Sequence, residues 1–121
     1  MLSYKNRVII NGTSCICLKS NYVKGGNQVV SLQLIDEEDF LPYATATVYV
    51  PEISNLLIKH TGVEMAIIKN YSENEGIEEP LIKAGILKDL LGKISNEFVT
   101  LPIYAINNNP KDLVEADSII I

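Results

Sequence analysis

The stretch YKNRVIINGTSCICLKS, residues 4–20, decides the fold class. Asn11-Gly12 at its centre is the preferred pair for a two-residue type I′ turn, whose central residues both need positive φ. β-Branched and apolar residues flank the pair on both sides. The spacing predicts a hairpin with strands near 5–10 and 13–19. Downstream, QVVSLQLI places Val30, Leu32 and Leu34 on one strand face and Ser31 and Gln33 on the other, after a turn at Gly25-Gly26. DEEDF, 36–40, reads as an acidic turn. LPYATATVYV, 41–50, then alternates: Tyr43, Thr45, Thr47 and Tyr49 on one face, Ala44, Ala46, Val48 and Val50 on the other. That period of two marks a half-buried antiparallel strand. The small side chains at 44 and 46 leave room for a helix over that face.

Pro51 closes the strand, and EISNLLIKH, 52–60, predicts a short helix or crossover ended by Thr61-Gly62. VEMAIIK, 63–69, has strand length. NYSENEGIEEP, 70–80, precedes LIKAGIL and predicts the main helix, about 72–84. Ser72 and Glu75 have capping-box spacing. Ile77, Leu81 and Ala84 fall on one helical face, and Gly85 suits the C′ position. Pro80 breaks a continuous helix, so the segment is kinked, or one turn precedes a helix that begins near Glu79-Pro80. EFVTLPIYAI, 97–106, is another strand, with Pro102 expected on an edge or at a bulge. NNNP is a turn, KDLVEADSIII carries a final strand, and Ile119 to Ile121 are expected on the core or on a second subunit. The sum is α+β: one domain, 1–121, with a twisted antiparallel sheet and one main helix on one face.

Composition bounds the function. The 121 residues carry 15 Asp plus Glu against 10 Lys plus Arg, with Arg7 the only arginine. Nucleic-acid binding needs a basic footprint, so direct DNA or RNA binding is disfavoured. No apolar run approaches the roughly 20 residues of a membrane helix. The N-terminus has no h-region, so the expected location is the cytoplasm. Cys15 and Cys17 at i, i+2, with His60 far off, read as reduced, small apolar side chains; no metal and no cofactor is expected. There is neither a GxxxxGK[ST] run nor a GxGxxG. Glu78 and Glu79 have no accompanying nucleophile, and a charged helix face explains them more simply than acid–base catalysis.

Three stretches, SLQLIDEEDFLPYATATVYV, AIIKNYSENEGIEEPLIKAGIL and EFVTLPIYAI, resemble a small uncharacterised family encoded by phages and mobile elements. The resemblance spans about residues 28–106. Pro80 and LLGKISNE, 90–97, depart from its pattern. It implies a viral anti-defence protein, non-enzymatic; the edge strand and the apolar C-terminus independently point to a homodimer or higher homo-oligomer. Two mechanisms follow. The first is a sponge for a nucleotide immune signal, a cyclic ADP-ribose type or a cyclic oligonucleotide. It would be held by Lys69, Asn70, Tyr71, Ser72 and Asn74 at the helix start and by Tyr43, Thr45 and Thr47 on the strand. The second is an inhibitor whose acidic face, at Asp36, Glu37, Glu38 and Asp39 with Glu73, Glu75, Glu78 and Glu79, covers a basic host defence protein, such as a CRISPR or restriction nuclease. Arginine is the usual phosphate clamp, and its scarcity counts against the first; acidity is common in small phage proteins, however, and the sponge is placed first with the inhibitor as the alternative.

Overall fold

The computed structural model describes residues 1–95 and 97–117. Among these, the chain runs β1 (Leu2–Tyr4), β2 (Val8–Ile10), β3 (Thr13–Asn21), β4 (Val30–Asp36), β5 (Pro42–Thr45), α1 (Ser54–Lys59), β6 (Met65–Ile67), α2 (Glu78–Lys83), β7 (Leu87–Ser95), β8 (Thr100–Ile106) and β9 (Leu113–Glu115). The fold is α+β. It has two antiparallel sheets rather than one: β5-β4-β3-β1-β9, with β2 also on β3, and β6-β8-β7. The expectation for Ile119 to Ile121 lies outside the described residues.

The Asn11-Gly12 turn forms, with φ of 50° and 82° and Ile10 facing Thr13. The strand expected over 5–10 is shortened to Val8–Ile10, and a separate strand, Leu2–Tyr4, precedes it. Ser3 faces Leu18 and Val8 faces Cys15, so residues 4–7 stand opposite only Ile16 and Cys17. The excess chain bulges outward. Asn6 there donates to the Ala84 carbonyl at 2.9 Å, and Lys5 donates its amide to Asp112 at 2.8 Å. The bulge thus ties the sheet to α2 and to the approach of β9.

The alternation in β4 is kept, with Val30, Leu32 and Leu34 fully buried. In 41–50 it fails at Thr47, which is buried with Ala46. The reason is a change of sheet. After Thr45 the chain leaves β4. The Ala46 amide still bonds to Leu32, but the Ala46 carbonyl takes the Lys69 amide beyond β6 and the Val48 amide bonds to Ile67 at the end of β6. Residues 46–48 therefore stitch the two sheets together, and the Thr47 side chain lies in the seam.

The main helix is two-part, one of the two arrangements Pro80 allows. Ser72–Asn74 form a single 3₁₀ turn, Gly76 reverses the backbone at φ 83°, and α2 starts at Glu78. Pro80 thus falls in the first turn, where its missing amide has no helical partner to lose. The capping box does not form: Ser72 has φ 59°, and neither helical piece has a side-chain N-cap. The C-terminus is as expected. Gly85 at φ 77° donates to Ile82 and Ile86 to Leu81, a Schellman ending.

Ile77 and Leu81 pack with Val30, Leu32, Leu34, Ala46 and Cys17 in the main core, with Ala44 and Ala84 at its margin. A second core, around Ile53, Met65, Ile67 and Ile103, lies under β6 and β8, and Leu56 and Leu57 of α1 pack against it. β7 answers no sequence expectation. Its alternation is blurred by irregular register on both sides of Leu90, and Gly92 comes close to Leu56. Pro102 lies on β8, the central strand, and not on an edge. Its carbonyl takes the Ile68 amide at 3.0 Å, and the amide it lacks would point to that same side, one residue past the end of β6 at Ile67, so no bond within β6 is lost. Among the described residues, no helix is long and apolar enough to cross a membrane.

Candidate functional site

The residues expected to hold a nucleotide do not converge. Lys69 pairs with Glu73 at 2.7 Å and lies 5.6 Å from the Tyr71 ring centre. The Glu73 contact raises the Lys69 pKa. Tyr71 packs on the second core. Asn70 is half-buried beside it, and Ser72 is exposed in its left-handed conformation. Asn74 is buried and donates to the Thr45 carbonyl at 2.7 Å, which anchors the loop to β5. Thr47 takes the Leu32 amide at 3.1 Å and shares a hydrogen bond with the Tyr22 hydroxyl. Asn74 and Thr47 are structural groups with their bonding used internally.

Two of the eight, Tyr43 and Asn74, line a cleft of about 270 Å³. It opens where the β2–β3 hairpin tip, β5 and the 73–77 loop meet. Ile10, Ala44, Ile77 and Pro80 supply apolar surface, and Asn11, Tyr43, Glu73 and Glu75 supply polar groups. Small-molecule sites usually enclose about 300–1,000 Å³. This cleft is slightly below that range, and its two carboxylates favour a cation over a phosphate.

Glu73 is strongly ionised. The Lys69 ammonium first, then the Glu73 amide and the Ser72 hydroxyl, lower its pKa to about 2. The folded chain therefore binds this proton less readily than the unfolded chain, whose carboxyl titrates near 4.5. The contribution of the pair is complete above that value and is lost as pH falls through about 2. A carboxyl NMR titration should place the Glu73 midpoint near 2 and return it toward 4.5 in Lys69→Met. A midpoint near 4.5 in the native protein would refute the pairing.

The expected partner-binding run forms the β4–β5 turn. Its geometry is closed by local bonds. Phe40 and Asp36 are joined amide to carbonyl at 2.8 Å, and the Asp36 amide reaches Leu41 at 2.9 Å. The Asp36 and Asp39 carboxylates accept the amides of Glu38 and Leu41, both at 2.9 Å. Glu37 accepts from the Ser14 hydroxyl at 2.7 Å and pairs with Arg7 at 3.0 Å. The Ser14 hydrogen bond first, then the Arg7 guanidinium, hold its carboxyl below the usual range. Glu38 forms no ion pair among the described residues.

Phe40 was not singled out by its sequence context, yet it is the unusual residue here. Its φ is 59°, a conformation suited to glycine, and costs a bulky residue about 1–2 kcal/mol. Its side chain is only about half covered, being 47 % exposed, and is followed by Leu41 at 60 % and Tyr43 at 39 %. A short apolar ridge thus rises from an acidic turn and ends at the cleft. The missed cleft residues Ile10, Asn11 and Pro80 had only strand, turn and helix signals in sequence, whereas Glu73 and Glu75 belong to the acidic face of the inhibitor reading. Their meeting depends on the two-part helix. Comparison with known proteins found no matching family model, no matching curated protein and no matching solved structure.

Proposed function

We propose that this protein is a non-enzymatic binding protein that docks a basic protein surface through its acidic β4–β5 turn, with Phe40, Leu41 and Tyr43 as apolar contacts. The resemblance to phage and mobile-element proteins sets this activity in anti-defence, in the cytoplasm of a bacterial host, with a host effector as the target. The observation that carries the reading is Phe40, an exposed aromatic in a glycine conformation. Such strain persists where something other than stability selects it. An apolar centre within a charged rim is also the usual anatomy of an interface. The sponge is the weaker reading, because the one lysine at the loop is already paired with Glu73.

Phe40→Gly tests the reading. Relief of the left-handed strain should leave stability unchanged or raise it by about 1 kcal/mol, or about 3–5 °C in Tm. The same change should weaken partner binding at least about tenfold, an ordinary loss for an aromatic anchor. Affinity capture from host lysate by the native protein and by Glu38→Gln/Phe40→Gly, followed by reconstitution with the purified captured protein, gives the readout. Association should slow as salt is raised. A nucleotide released by heating the protein, with its retention untouched by the double variant, would replace this reading with the sponge.

A further inference from the structure

We infer that the cleft beside the turn is the socket for an arginine side chain projected by the partner. This inference rests on the binding reading above and names the chemistry of its deepest contact. The lining offers both kinds of surface that an arginine side chain meets. Ile10, Ala44, Ile77 and Pro80 offer apolar surface for the aliphatic stem, and Glu73, Glu75, Asn11 and Tyr43 offer acceptors and a ring for the guanidinium.

The two carboxylates differ. Glu73 is compensated by Lys69, at 2.7 Å. Glu75 forms no ion pair among the described residues, and its side chain is exposed. It therefore offers a charge that a cation can take without displacing a partner. Gly76, at φ 83°, sets the turn that carries Glu75 to the cleft; any side chain there would be strained. Tyr43 adds a ring on which a planar guanidinium stacks better than an ammonium. Arginine also meets a carboxylate with two parallel hydrogen bonds, which a lysine cannot do. The same Tyr43 continues the apolar ridge of Phe40 and Leu41, so the socket and the turn form one surface. A cleft of about 270 Å³ suits one side chain better than a whole nucleotide.

The test uses the full chain and three capped tripeptides, Gly-Arg-Gly, Gly-Lys-Gly and Gly-citrulline-Gly, titrated by amide NMR without any partner. The arginine peptide should shift Asn11, Tyr43, Glu75 and Gly76 saturably, and the neutral citrulline peptide should not. Glu75→Gln should weaken the arginine peptide about tenfold, the size of one charge-assisted hydrogen bond. The spectrum of that variant away from the cleft should be unchanged, since Glu75 is exposed. Equal shifts from citrulline, equal affinity for lysine, or shifts centred elsewhere would overturn the socket. If the peptides fail while Phe40→Gly still weakens the captured partner, the socket falls and the docking turn stands. If both fail, the binding reading falls with it.

Discussion

Glu64→Gln is expected to destabilise the protein by about 3 kcal/mol, the largest effect of any single polar change proposed for it. Lys19 lies on the inward face of β3, in line with Cys15 and Cys17, and its side chain is 7 % exposed. Glu64, 19 % exposed, stands before β6 and pairs with it at 3.0 Å. Asn21 donates to the same carboxylate at 3.1 Å. The ion pair thus joins the first sheet to the second at the margin of the core. Removing the carboxylate charge leaves a desolvated ammonium with only a neutral amide to face. Removing both partners should cost much less, because apolar groups of similar volume can replace a buried pair almost neutrally. Chemical denaturation of Glu64→Gln, Lys19→Met and the double variant Lys19→Met/Glu64→Leu separates the cases. A loss below about 1 kcal/mol in Glu64→Gln would show that water reaches the lysine and that the pair is no more than a surface contact.

Thr47→Val carries the second largest effect, a loss of about 2 kcal/mol. Valine has the shape of threonine, so packing changes little. What disappears is the acceptor for the Leu32 amide, at 3.1 Å, and the bond with the Tyr22 hydroxyl, at 3.2 Å. Both lie in the seam where the chain passes from the first sheet to the second. An amide left unpaired at a fully buried leucine costs the desolvation of that group. Thr47→Ser keeps the hydroxyl and should lose less than half as much. A loss below about 0.5 kcal/mol in Thr47→Val, which keeps the methyl and removes only the hydroxyl, would show that these hydrogen bonds contribute little. Partner binding per folded molecule should be unchanged in both, since Thr47 faces the interior and not a ligand.

These two positions show why the site was harder to read than the fold. Thr47 was placed on a Tyr/Thr face because alternation assumes that a strand stays in one sheet. The strand leaves its sheet after Thr45, and the rule ends with it. Lys19 and Glu64 are 45 residues apart, and neither carries a local signal. The socket has the same character. Asn11 and Pro80 each obey a local rule, a turn pair and a first-turn proline, and neither rule says that they share a cleft. Phe40 was read as the end of an acidic turn, and only its backbone angle shows that it stands where glycine is at ease.

By itself, the sequence determined what depends on near neighbours. The Asn11-Gly12 hairpin, the buried Val30, Leu32 and Leu34 stripe, the helix face of Ile77 and Leu81 and the Gly85 ending all follow from φ preference and period. The tertiary structure alone decided the division into two sheets, the seam through Thr47, the central place of Pro102 and the meeting of the hairpin tip with the 73–77 loop. Each of these rests on which backbone group finds a partner across long stretches of chain. That is settled by the simultaneous packing of both cores, and no local pattern encodes it.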